Sequence, residues 1–217
     1  MRLFSTLPEA VIRDLESNLT ITDHCAGSIL FRQDQKAKGM FVLFSGRVKL
    51  TAIVAGGRTA LLKIAAPGQI LGLAAVLSSR CQITTAEVMT SSLIGFVGAN
   101  GIASLMRKHP QLSEALARHL ASTCIKAMSE TLFLRVPTSN SQRLAAMLLR
   151  VAESHKHSQA SGHDSFGYTH AELGQLIGAS RETITRLLGK FERKGLLIPN
   201  GSGTADLELL RELADGG

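Results

Sequence analysis

Arg181, Glu182 and Arg186 are the side chains of this sequence best suited to reading another molecule. A guanidinium donates two hydrogen bonds to O6 and N7 of guanine, and a carboxylate accepts one from N4 of cytosine. On a helix the three residues fall on one face, so together they could specify adjacent G·C pairs in a major groove. Thr183, Thr185 and Lys190 on the same helix, with Thr169 and Ser180 at helix starts, are suited to phosphate oxygens, which position a reader without carrying sequence information.

Such residues need a scaffold, and residues 168–197 spell one. Thr169 with Glu172 three residues on is a capping box, which predicts a helix from His170 with an inward face of Leu173, Leu176 and Ile177. Gly178 permits the left-handed turn that ends it. Ser180 then caps a second helix that buries Ile184, Leu187, Leu188 and Phe191 and leaves the polar set on the other side. Two short helices across so tight a turn make a helix-turn-helix, with the polar start of the second helix placed for the groove. Residues 196–209 are expected to follow as two strands around the turn Pro199-Asn200-Gly201-Ser202-Gly203, a wing.

Further upstream, Val11, Ile12 and Leu15 after Pro8 predict a short amphipathic helix. Short apolar runs at 28–31, 40–44, 48–54, 60–65, 70–73, 83–88 and 93–97, separated by glycine turns, predict an antiparallel sandwich or barrel. The period then lengthens. A short helix over 102–108 precedes a long one from Pro110 to about Val136, striped by Leu112, Ala115, Leu116, Leu120, Thr123, Ala127, Met128, Thr131 and Leu134. Its length, roughly 39 Å at 1.5 Å per residue, exceeds what a small sheet needs as cover, so the surplus stripe predicts pairing with the same helix of a second subunit. Pro137 to Ser141 breaks it at an expected hinge before another helix over about 142–153, and a polar loop over 155–165 follows.

Composition narrows the function classes. The chain of 217 residues carries 24 Lys/Arg against 17 Asp/Glu, a net charge of +7, which suits a polyanionic partner. That excess lies wholly in residues 1–136, since 137–217 hold nine residues of each sign. The case for a nucleic-acid partner is therefore local, in the five bases and two acids of Arg181 to Lys194. Three scattered cysteines, Cys25, Cys81 and Cys124, fit reduced thiols better than disulfides, a zinc ribbon or an iron–sulfur site. Neither a signal peptide nor a long apolar run stands in the sequence, and a cytoplasmic protein without membrane contact is expected. No nucleophile–base pair or metal-ligand spacing is present, so neither an enzyme, a metal site nor a resident cofactor is expected.

Gly174 to Leu188 resembles the DNA-binding signature of the cyclic-AMP receptor protein and Fnr (Crp/Fnr) family of bacterial regulators. The likeness extends over nearly the whole chain. It implies an α+β protein with an N-terminal double-stranded β-helix (a jelly roll like that of cyclic-nucleotide binders) over 1–109, a dimerisation helix over 110–136 and a C-terminal winged helix-turn-helix over 137–217. It further implies a homodimer on a palindrome of double-stranded DNA. Arg181, Glu182 and Arg186 match the base-reading positions of the branch whose half-sites contain GTGA, and RNA polymerase is an expected partner. Gly68 to Leu77 is similar to the family's phosphate-binding cassette, but Leu73 stands where cyclic-nucleotide binders have the ribose-binding glutamate and Thr84 where they have the phosphate-pairing arginine. Losing that cation forfeits a charge-assisted bond worth about 1.5–3 kcal/mol, which disfavours cyclic AMP. Gly72, Leu73, Thr84, Thr85, Cys124 and Ile125 outline a candidate pocket for an unidentified small effector. The alternative is a small-ligand or heme sensor, with His24, Cys25 or Cys81 as conceivable ligands, whose winged module serves protein contacts.

Overall fold

The computed structural model describes residues 7–135, 139–155, 168–197 and 206–215, and the chain divides into two compact units, 1–125 and 126–217. The expected hinge at Pro137, the loop beyond His155 and the wing turn at 199–203 lie outside the described residues.

Two four-stranded antiparallel sheets build the first unit. One has β1 (Thr20–His24), β8 (Ser92–Gly98), β3 (Gly39–Leu43) and β6 (Ile70–Leu71) in the order β1-β8-β3-β6. The other has β2 (Ile29–Phe31), β7 (Thr85–Val88), β4 (Val48–Ile53) and β5 (Thr59–Ala65) in the order β2-β7-β4-β5. Apart from the β4–β5 hairpin, neighbours in each sheet lie far apart in sequence, the connectivity of a jelly roll. Strand alternation builds two cores from one strand: on β3, Leu43 joins Phe31, Val48, Ala86 and Ile94 in the cluster of the two sheets, whereas Met40 and Val42 join the helix-side cluster.

The helices of that second cluster are α1 (Glu9–Ser17), α2 (Leu73–Leu77), α3 (Ala99–Lys108) and the start of α4 (Pro110–Arg135). Val11 and Leu15 of α1, Ile102 and Leu105 of α3, and Leu112 and Leu116 of α4 meet there. Asp14 pins α1 to the α3–α4 junction, its Oδ2 lying 2.6 Å from both Lys108 Nζ and His109 Nε2. Past Leu120 the stripe of α4 leaves this core, and every residue from Ala121 to Met128 is exposed.

Two expectations are corrected in this unit. The strand over 70–73 stops at Leu71, because Gly72 is left-handed (φ +76°) and opens α2 at Leu73. The strand over 83–88 begins only at Thr85. β1 was outside the expected runs; its mostly exposed residues alternate too weakly to show in the pattern.

The second unit packs α5 (Asn140–His155), α6 (His170–Ile177), α7 (Arg181–Arg193) and α8 (Leu207–Asp215) around Leu144, Leu148, Leu173, Ile184, Phe191 and Leu210. Ser139 and Gln142 cap α5 reciprocally, the Gln142 side chain accepting from the Ser139 N–H at 2.8 Å and the Ser139 hydroxyl from the Gln142 N–H at 3.3 Å. The expected second wing strand fails at its end, since residues 207–209 belong to α8. Asp206 caps that helix, accepting from the N–H groups of Glu208 and Leu209 at 3.1 and 3.2 Å. Leu207, Leu210, Leu213 and Ala214 then pack on the unit's core at helical spacing.

Candidate nucleic-acid interface

The capping box forms as its sequence dictates. Thr169 Oγ1 accepts from the Glu172 N–H at 3.2 Å, and the Glu172 carboxylate accepts from the Thr169 N–H at 2.7 Å. Two glycines then make the turn. Gly178 sits at φ +73°, where a Cβ is strained, and Gly174 lets the Ala179 N–H reach its carbonyl at 2.8 Å. A Cβ at Gly174 would lie 2.6 Å from the Ala179 oxygen. Ser180 starts α7, its hydroxyl accepting from the Thr183 N–H at 3.2 Å and standing 3.1 Å from Thr183 Oγ1.

Because Ile184, Leu187, Leu188 and Phe191 are drawn into the core, the opposite face of α7 is left to solvent. Arg181, Glu182, Thr185, Arg186 and Lys190 are exposed there, while Thr183 is half-buried. Among the described residues Arg181, Arg186 and Lys190 form no ion pair, so their charge is directed at whatever approaches. The carboxyl of Glu182 is held below its ordinary value chiefly by its own backbone N–H, then by the Ser180 hydroxyl and, after a smaller opposing effect of burial, by the charge of Arg181. At neutral pH it is thus a pure acceptor, as recognition of a cytosine amino group requires. The hydroxyls differ in what they have left to give. Thr169 accepts in its cap and keeps its hydrogen, whereas the hydroxyl of Thr185 already donates to the Arg181 carbonyl at 3.0 Å. Nothing in the sequence marks His170 beyond its place at the start of α6, yet its Nδ1 stands 2.9 Å from Thr185 Oγ1. Only the fold brings these residues together, 15 positions apart.

In the first unit, Gly72 serves the turn into α2, and a Cβ there would meet Gln82 Nε2 at 2.9 Å. Leu73 is 3% exposed and packs in the helix-side core. Thr84 is half-buried, and Thr85 Oγ1 accepts from the Gln33 N–H at 3.0 Å. Cys124 and Ile125 are exposed on α4. Among the described residues no group of three or more His, Cys, Asp or Glu could hold a metal ion, and no helix is long and apolar enough to cross a membrane.

Two family models match in tandem, the cyclic nucleotide-binding domain over residues 22–109 and the Crp-like helix-turn-helix domain over 142–213. The chain belongs to the Crp/Fnr family of transcription regulators. Like its relatives, this Crp/Fnr regulator is a DNA-binding transcription regulator. It is 24% identical over 202 residues to a protein of Mycobacterium tuberculosis named CRP-like cAMP-activated global transcriptional regulator, a match covering 92% of this chain and 89% of that protein. It is 25% identical over 176 residues to the fumarate and nitrate reduction regulatory protein of Salmonella typhimurium, covering 81% and 70%. Among solved structures, FixK2 from Bradyrhizobium japonicum superposes with a TM-score of 0.77 at 19% identity, over 90% of this chain and 96% of that one. The Thermus thermophilus catabolite activator protein gives 0.56 at 24%, over 100% and 99%. These likenesses establish the fold of the Crp/Fnr regulator and leave its DNA sequence and effector to its own residues.

Proposed function

We propose that this regulator acts as a homodimer on a two-fold-symmetric DNA site with GTGA-like half-sites, read through Arg181, Glu182 and Arg186, and that it does so without cyclic AMP. The observation that carries the reading is the solvent face of α7, where two guanidiniums with no ion pair among the described residues flank an ionised carboxylate. Bidentate arginines suit the guanines of such a half-site, and Glu182 suits a cytosine of the opposite strand. Lys190, Thr169, Ser180 and Thr183 surround this face as phosphate contacts that set the register. The second copy is supported by α4, where Ile125 is 65% and Met128 62% exposed on a stretch its own core does not cover. Pairing there would present two recognition helices to half-sites about one helical turn apart.

Independence from cyclic AMP follows from the cassette. Leu73 is buried in the core and cannot bind a ribose hydroxyl, and the hydroxyl of Thr84 is no substitute for a cation against a phosphodiester. RNA polymerase is proposed as the further partner of such a regulator. The test is selection of bound sequences from a random DNA pool by the purified, ligand-free protein at a stated moderate salt concentration. A palindrome with GTGA-like arms is expected; enrichment of sites without such symmetric arms would overturn the proposal.

A further inference from the structure

Thr185 lies in the middle of the exposed face of α7, one turn beyond Arg181 and next to Arg186. Its hydroxyl is engaged twice within the protein, donating to the Arg181 carbonyl at 3.0 Å and standing 2.9 Å from His170 Nδ1 on α6. A hydroxyl has one hydrogen. With that hydrogen on the carbonyl, the contact with His170 is a hydrogen bond in which Nδ1–H is the donor, which fixes the ring's tautomer. Threonine in a helix otherwise divides between two rotamers; two bonds to Oγ1 from different elements select one. With the oxygen of this exposed side chain engaged twice within the protein, the substituent left for a partner is the methyl group. An apolar methyl set among Arg181, Glu182 and Arg186 is suited to one feature of the major groove, the C5-methyl of thymine.

We propose that Thr185 is a specificity-determining residue that reads a thymine methyl in each half-site, and that His170 is a positioning residue holding it in that rotamer. This rests on the reading of α7 as the base-reading helix, and it moves Thr185 from the phosphate contacts to the base edges. Thymine and uracil differ only by the methyl group, so uracil substitution tests the contact without disturbing base pairing.

The experiment measures affinity of the full chain for the selected operator with each thymine of both half-sites replaced by uracil in turn. One symmetric pair of positions is expected to lose about four-fold per half-site, the value of roughly one buried methyl group. Thr185→Ser, which keeps the hydroxyl, should bind the thymine and uracil duplexes equally. His170→Ala should lose most of the discrimination while holding the uracil duplex as tightly as the parent does, and His170→Asn, whose amide can donate from the place of Nδ1, should restore it. Tight binding with no uracil-sensitive position would overturn the inference and leave the base-reading proposal standing. No binding to any duplex would remove that proposal itself. Equal weakening of both duplexes by His170→Ala would make His170 a phosphate contact and overturn its positioning role.

Discussion

Arg181 and Arg186 can each pair with both acceptors of a guanine, so truncating one leaves a base edge unmatched and dehydrated in the groove. Arg181→Ala should cost about 1–3 kcal/mol in operator affinity and relax the preference at one guanine of each half-site. Competition binding against single-base variants checks it, since a phosphate contact would weaken all of them alike. Glu182 adds a pH dependence with a definite sign. Its carboxyl titrates lower in the fold than its ordinary value of 4.5, so the ionised form stabilises the start of α7. That contribution is complete above pH 4.5 and disappears as the pH falls through the lower folded value. Glu182→Gln should therefore melt below the parent at pH 7, with the difference shrinking once the pH drops under 4.5; a difference independent of pH would assign the loss to shape instead of charge.

At the scale of the element, the turn between α6 and α7 decides whether the reading face exists. Alanine at Gly174 would gain up to about 1 kcal/mol of helix propensity, but its Cβ would sit 2.6 Å from a backbone oxygen that cannot rotate away. Overpacking of that kind costs about 1–3 kcal/mol, so the clash outweighs the propensity. Gly174→Ala should lower the melting temperature and weaken every DNA sequence together, a pattern that separates it from Arg181→Ala. These elements were legible in the sequence because each rests on a local rule: the Thr169–Glu172 box, Gly178, the Ser180 cap and the apolar period of Ile184 to Phe191. Of the expectations that fail, one has a local rule and another has none. Asp206 followed by Leu207, Leu210, Leu213 and Ala214 spells a capped helix, yet the Asn-Gly-Ser-Gly turn before it draws the eye to a hairpin. Gly72 reads as a turn, but nothing nearby shows that five residues of helix follow it. The His170–Thr185 bond has no sequence signal, because it depends on how two helices pack.

For the molecule as a whole, charge alone does not make the DNA contact: residues 137–217 are neutral in sum, and the net charge of +7 belongs to the first 136. A neutral module gains little from long-range attraction, so the proposed reading calls for two modules on one site, whose effective concentration multiplies their affinities. The surface that would join two copies is the stretch of α4 beyond Leu120, where Ile125 and Met128 lie exposed. Two such helices side by side bury apolar area that neither copy covers alone. The double variant Ile125→Glu/Met128→Glu places four carboxylates in that seam while leaving the cores around Leu112, Leu116 and Leu148 untouched. Sedimentation equilibrium should show a monomer with the parent's circular dichroism, and affinity for the full palindrome should fall to that for an isolated half-site. A variant that stays dimeric would move the interface off α4, while a monomer that still binds the palindrome at full affinity would show that the two modules read DNA independently.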